Sequence, residues 1–225
     1  SYKTKTKTAY KFLISKGKVS SLDELISRFS VEVVNKEFYT EIATAFTELV
    51  GGNRNGKKYE KQLSIFGVDE HSKYAEFGVR LIGRIMFCWF LKEKHSTNGI
   101  SLVPKDWLSR KTIESNGSYY HQTLEPLFFE LLNTPHNRRK SEYLNEEADK
   151  VPYLNGGLFS PHDVDRYEYE PETHAGKRGI VEIPNTWFQN LYNVLNEYNF
   201  TVDENTAYDI ELSIDPEMLG RIFEN

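Results

Sequence analysis

Phe77–Leu91 reads FGVRLIGRIMFCWFL, and the fold turns on how this run is read. Plotted at about 100° per residue, its apolar positions cover every side of a helix spanning about Ser72–His95. A helix that is apolar all round is buried, so this one predicts the centre of a helical core. The run holds Arg80 and Arg84 and is short for a membrane span, which needs about 20 apolar residues. Arg84 falls among Phe77, Cys88 and Leu91. A guanidinium in such surroundings needs a carboxylate. Glu125, Glu130, Glu217 and Glu224 are the candidate partners, each on an apolar helix expected to pack here. The alternative is that Arg84 reaches water along its aliphatic stem. Cys88, between Phe87 and Trp89, reads as a buried structural thiol.

Other helices flank this one. In SVEVVNKEFYTEIATAFTELVGG, residues Val34, Phe38, Ile42, Ala45, Phe46 and Leu49 recur at helical spacing, and Gly51-Gly52 end the helix. Ser20 or Ser21 caps a short helix, LDELISRF, before it. GSYYHQTLEPLFFELLNTP predicts a further helix, with Pro126 marking a kink or a start. PNTWFQNLYNVLNEYNF is amphipathic, with Trp187, Leu191, Val194, Leu195 and Tyr198 on one face. NRNGKKYEK reads as a basic loop and HNRRKSEYLNEEADK as a charged connector. GIVEI and DIELSI read as short strands. The expected fold class is mainly α: a multi-helix domain with two or three short strands near the C-terminus. Residues 1–20 read as a basic N-terminal extension or the tail of a preceding domain. Residues 21–225 read as one helical domain.

Composition limits the partners. The 225 residues carry a formal net charge of -5, so any polyanion site must be a local patch. Two patches qualify. One is Arg54, Lys57, Lys58 and Lys61; the other is Arg138, Arg139 and Lys140. Their functional reading is contact with a DNA backbone, and their bland reading is solvated surface charge. One cysteine allows no internal disulfide and fits a reducing cytoplasm. The chain starts at Ser1, and an apolar stripe of Met218, Leu219, Ile222 and Phe223 begins a helix at its end. Both features predict a piece of a larger protein.

The sequence is poor in catalytic signals. No lysine follows an acidic residue at two positions' distance, which leaves out half of a common metal-dependent nuclease site. There is no G-x-G, no Pro-Pro and no G-x-x-x-x-G-K-[ST]. His162, Asp163 and Asp165 could ligate a metal, but a polar loop is the simpler reading. Gly156-Gly157, in VPYLNGGLF, leads into Pro161 and two aspartates. That favours a structural turn at Asn155-Gly156 over a phosphate cradle.

Seven blocks in order carry a family resemblance: FSVEVVNKEFYTEI, GVRLIGRIMFCWFLKEK, LEPLFFELLNT, VPYLNGGLF, IPNTWF, YNFTVDEN and DPEMLGRIFEN. Together they resemble the helical region before the methyltransferase domain of fused, type IIG-like restriction–modification enzymes. Those enzymes join an endonuclease to an adenine-N6 DNA methyltransferase. The resemblance covers about Phe29–Asn225. It implies a cytoplasmic bacterial-defence protein that uses S-adenosylmethionine for methyl transfer and Mg²⁺ for cleavage. Its partners would be double-stranded DNA and the nuclease and methyltransferase domains of the same chain, with no membrane. No position here matches the family's catalytic motifs, so the chain alone is expected to bind neither cofactor and to be inactive. The expected role is a non-catalytic helical connector that continues into a methyltransferase domain and positions the catalytic domains on DNA. Two other roles stay open: a DNA-binding target-recognition module, and a protein-interaction module of a defence system.

Overall fold

The computed structural model describes residues 21, 23–24, 31–93, 101–143, 145–154, 157–162, 164–165 and 181–198. Within them the protein is mainly α. The chain divides into two compact units, Ser1–Thr44 with Asn193–Asn225, and Ala45–Tyr192. The boundary expected at residue 20, the DIELSI strand and the terminal stripe lie outside the described residues.

The first unit holds most of helix α1 (Val31–Val50). Phe38 and Ile42 sit one turn apart on its buried stripe. The Phe38 ring meets Tyr198 edge-on at 4.9 Å, and Tyr198 Oη donates to Glu41 Oε2 at 2.9 Å. Burial and the neighbouring Glu41 push the Tyr198 phenol well above its usual range, so the hydroxyl stays a donor. Ser21 Oγ accepts from Glu24 N at 3.1 Å, as a helix N-cap does.

The second unit begins with the last turn of α1. Gly51 has φ +79° and donates from its N–H to Thr47 O at 2.9 Å, closing the helix in a left-handed cap. A side chain there would be strained, and a Cβ would stand 3.1 Å from Lys61 Cβ. Strands β1 (Gly52–Arg54) and β2 (Lys57–Tyr59) follow as an antiparallel hairpin. The expected basic loop is therefore a hairpin. Its turn is Asn55-Gly56, with φ of 50° and 75°, the primed geometry whose twist matches paired strands. Three of the four described strands thus lie at 52–65 rather than near the C-terminus. Strand β3 (Ser64–Ile65) pairs antiparallel with β4 (Val181–Glu182), which is the strand expected in GIVEI.

Helix α2 (His71–Glu93) is the core of this unit. Leu81, Ile82, Ile85, Met86, Cys88 and Trp89 are all buried, whereas Glu76 is exposed and Val79, Arg80, Phe87 and Phe90 are half-buried. One side of the helix thus stays partly open where burial all round was expected. Gly78 lets α2 approach α1 closely, since a Cβ would meet Val50 Cγ1 at 2.9 Å and the Phe46 ring at 3.1 Å. A short α3 (Arg110–Ser115) is capped by Ser109 Oγ, which accepts from Thr112 N. The next helix is π-wound, over Tyr120–Leu124 and Pro126–Leu132. Pro126 has no N–H to give and its ring crowds the preceding turn, and the wider winding accommodates both. Helix α4 (Asn185–Glu197) closes the element order. At its start, Asn185 Oδ1 accepts from Tyr119 N, and its Nδ2 donates to the carbonyls of Ile113 and Asn116. Trp187 Nε1 donates to Ala45 O at 2.9 Å. Buried rings of Trp89, Tyr119, Phe188 and Tyr192 stack edge-on or tilted between these segments.

Candidate functional site

The charged centre of the second unit is built on α2. Arg80 and Arg84 are four residues apart and lie on one face of the helix. Opposite them runs the segment that contains Gly157–Phe159, one turn of 3₁₀ helix. Arg84 is 1% exposed. Its Nε donates to Leu158 O at 2.8 Å, and its Nη2 donates to Ser160 O and to Asp165 Oδ2, both at 2.9 Å. The guanidinium also lies 5.1 Å from the Phe129 ring centroid. Asp165 is fully buried. Its Oδ1 accepts from Arg80 Nη2 at 3.2 Å and its Oδ2 also accepts from His162 N at 3.0 Å. Tyr120 Oη donates to the Asp165 carbonyl. One carboxylate thus serves two guanidiniums and one backbone N–H.

Arg84 is therefore buried and paired with a carboxylate distant in sequence, but the partner is not one of the four glutamates. Glu125 faces His121 and Glu130 faces Lys140. Glu217 and Glu224 lie outside the described residues. Asp165, read as one of three loop residues with metal-ligand chemistry, has both oxygens spent on this network. Asp163 lies outside the described residues, and no group of three possible metal ligands occurs among the described ones. Nothing in the hydrophobic pattern could have singled out Asp165, because a loop residue carries no periodicity. Gly157 opens the 3₁₀ turn and faces open space; Asn155 and Gly156 lie outside the described residues. Burial raises the Cys88 thiol well above its usual range, and nearby Arg84 offsets only part of this, so Cys88 is an unreactive core group.

The two basic patches have different fates. Arg54, Lys57 and Lys58 stand on the β1–β2 hairpin, and both lysines are exposed. Lys61 follows at the hairpin's base with its ammonium 3.6 Å from the Tyr74 ring centroid. In the second patch Arg138 is exposed and Lys140 lies 3.5 Å from Glu130. Arg139 is not a surface cation. It is 6% exposed and donates to four backbone carbonyls, those of Leu131, Thr134, Ala148 and Val151. It has no guanidinium edge left for a phosphate, because its donors fold the turn around it.

Beside the π-wound helix lies a cleft of about 330 Å³. Trp107, Asn116, Gln122, Leu127, Glu142 and Asn145 line it. Trp107 Nε1 is committed to Glu147, and Asn145 Oδ1 caps the N–H groups of Glu147 and Ala148. No lysine or arginine contributes to its wall, so the cleft does not suit a phosphate. No helix among the described residues is long and apolar enough to cross a membrane.

Residues 61–212 match the family described as a domain of unknown function, DUF7814. The chain belongs to this family. The DUF7814 match takes in the Arg84–Asp165 network, the Arg139 turn and the cleft, whereas the β1–β2 hairpin precedes it. The chain is also similar to a protein of Methanocaldococcus jannaschii named "Putative type II restriction enzyme and methyltransferase RM.MjaORFECS2P". The identity is 31% over 217 residues, covering 86% of this chain and 17% of that protein. The chain therefore spans less than a fifth of the relative's length. No solved structure matches the chain.

Proposed function

We propose that this DUF7814 chain is a non-catalytic helical connector of a DNA restriction–modification enzyme. In this reading it holds a nuclease and an adenine-N6 methyltransferase in register with each other and with the duplex. The observation that carries it is the alignment: 86% of the chain matches 17% of a relative named for both activities. The region thus has the size of one part among several. The order of sequence blocks supports a place before the methyltransferase domain. The interior is consistent with a scaffold, since its buried Arg84, Arg139 and Asp165 are spent on fixing loops. S-adenosylmethionine and Mg²⁺ belong, in this reading, to the catalytic domains.

Titration calorimetry of this chain with S-adenosylmethionine tests the reading. No heat is expected, together with no methyl transfer or cleavage by the chain alone. A micromolar binding signal would overturn it. The chain's affinity for a duplex is expected to be weak and to fall steeply with salt. A sequence-selective complex that survives high salt would instead make the chain a target-recognition module.

A further inference from the structure

We propose that the β1–β2 hairpin is an arm that contacts the phosphates of a DNA duplex, an inference that rests on the restriction–modification reading above. Residues 52–61 hold Arg54, Lys57, Lys58 and Lys61 against a single acid, Glu60, in a chain of net charge -5. The hairpin register sets Arg54 directly opposite Lys57. Like charges facing each other across a ladder are destabilising. The strands gain little in return, because each is exposed at two of its three positions. A two-stranded hairpin is marginal by itself, so folding energy gives no reason for this arrangement. A polyanion does: it would relieve the Arg54–Lys57 repulsion. Arg54 Nε is shielded from water without a hydrogen-bond partner, so a phosphate contact falls to the terminal guanidinium nitrogens.

The arm is well anchored. Gln62 N and Leu63 N both donate to Leu49 O, at 3.1 and 2.9 Å, and Leu63 is buried. Lys61 is held over Tyr74 at the base and Lys57 stands 4.5 Å from the ring of Tyr59 within the hairpin, so Arg54, Lys57 and Lys58 are the cations carried by the strands themselves. Strand alternation places Arg54, Lys57 and Tyr59 on one face and Asn53 and Lys58 on the other. Cations on both faces suit a ribbon lying between two rows of phosphates, and a two-stranded ribbon fits the major groove of B-DNA. The Lys58–Glu60 pair, 3.0 Å apart, joins two side chains that are 74% and 84% exposed. Such pairs contribute little, so Lys58 can exchange Glu60 for a phosphate.

The experiment is fluorescence anisotropy of a labelled duplex with the full-length protein across a salt series. The variant is Arg54→Ala/Lys57→Ala/Lys58→Ala. Each phosphate contact contributes about 0.9 to the slope of log affinity against log salt. The slope should therefore fall by about 2–3, equally on duplexes of unrelated sequence. Lys58→Gln alone changes one exposed side chain and should lower the slope by about 0.9, so the proposal stays testable should the triple variant fold poorly. An unchanged slope with duplex binding intact overturns the arm and leaves the connector reading standing. Absence of duplex binding by the unaltered protein overturns both. Loss confined to one duplex sequence also overturns the arm, since it would indicate base reading.

Discussion

Arg84 sits near the middle of α2 and faces a carboxylate, whereas Arg139 sits in a turn after the π-wound helix and faces only carbonyls. Both side chains are buried, and both fix loops. Arg84 holds the segment from Leu158 to Asp165 against α2 through two carbonyls and one ion pair. Arg139 gathers Leu131, Thr134, Ala148 and Val151 around one guanidinium. Burial disfavours its charged form, and nearby Asp149 offsets part of that. The difference shows two ways of making a buried arginine tolerable. One supplies a countercharge, and removing that countercharge strands the cation. The other supplies carbonyl dipoles, and removing the cation strands the dipoles.

The largest effect should come from breaking the countercharge. Asp165→Ala leaves Arg84 buried without an anion and should lower the unfolding free energy by about 3–5 kcal/mol in urea denaturation. Arg139→Met follows. It leaves four carbonyls without their donor, and unsatisfied buried groups cost about 1–3 kcal/mol each before relaxation. We expect a net loss of roughly 2–4 kcal/mol by the same measurement. Arg84→Met should be milder, roughly 1–3 kcal/mol, because Asp165 keeps Arg80 while only the Leu158 and Ser160 carbonyls lose donors. If Arg84→Met proves as damaging as Asp165→Ala, countercharge is not what separates the two sites.

Gly78→Ala tests the packing of α2 with no charge involved. The added methyl collides with Val50 and Phe46, so overpacking should cost roughly 1–3 kcal/mol. A neutral result would mean that α1 yields easily, and that the Arg84 network rather than close helix packing locates α2. The smallest effect is expected at His121, where charge depends on pH. Its Nδ1 donates to Glu125 Oε2 at 2.5 Å and its Nε2 to Val181 O at 2.7 Å, so both nitrogens carry protons. The Glu125 hydrogen bond raises His121 above its ordinary value of 6.5. Its stabilisation is therefore complete below about pH 6.5 and is lost as pH rises through the raised value. Melting temperature against pH should show this decline, and His121→Gln should flatten it.

Much of the fold was legible because helices announce themselves locally. The apolar positions of α2 crowd most of its circumference, so a buried central helix follows from the run itself, although the side bearing Glu76, Val79, Arg80 and Phe87 stays partly open. The stripe Trp187, Leu191, Val194 and Leu195, with Tyr198 just past its end, gave α4 in the same way. The hairpin at 52–59 was less legible. Both of its faces meet solvent, so its strands show no hydrophobic alternation, and only Asn55-Gly56 marks the turn. Its basic residues were visible, but their pairing across a ladder was not.

By itself, the sequence determined where the long helices lie, which one forms the centre of the core, and that Arg84 would need a partner. These follow from periodicity and from the cost of burying a charge, both of which act within a short stretch of chain. Only the tertiary structure decided that the partner is Asp165, and that Arg139 belongs to the interior although it stands in HNRRK. In each case the deciding groups come from loop backbone and loop side chains brought together across sequence separations that carry no repeating pattern. A carbonyl can accept a guanidinium whatever side chain its residue bears, so the four acceptors around Arg139 leave no trace in the sequence.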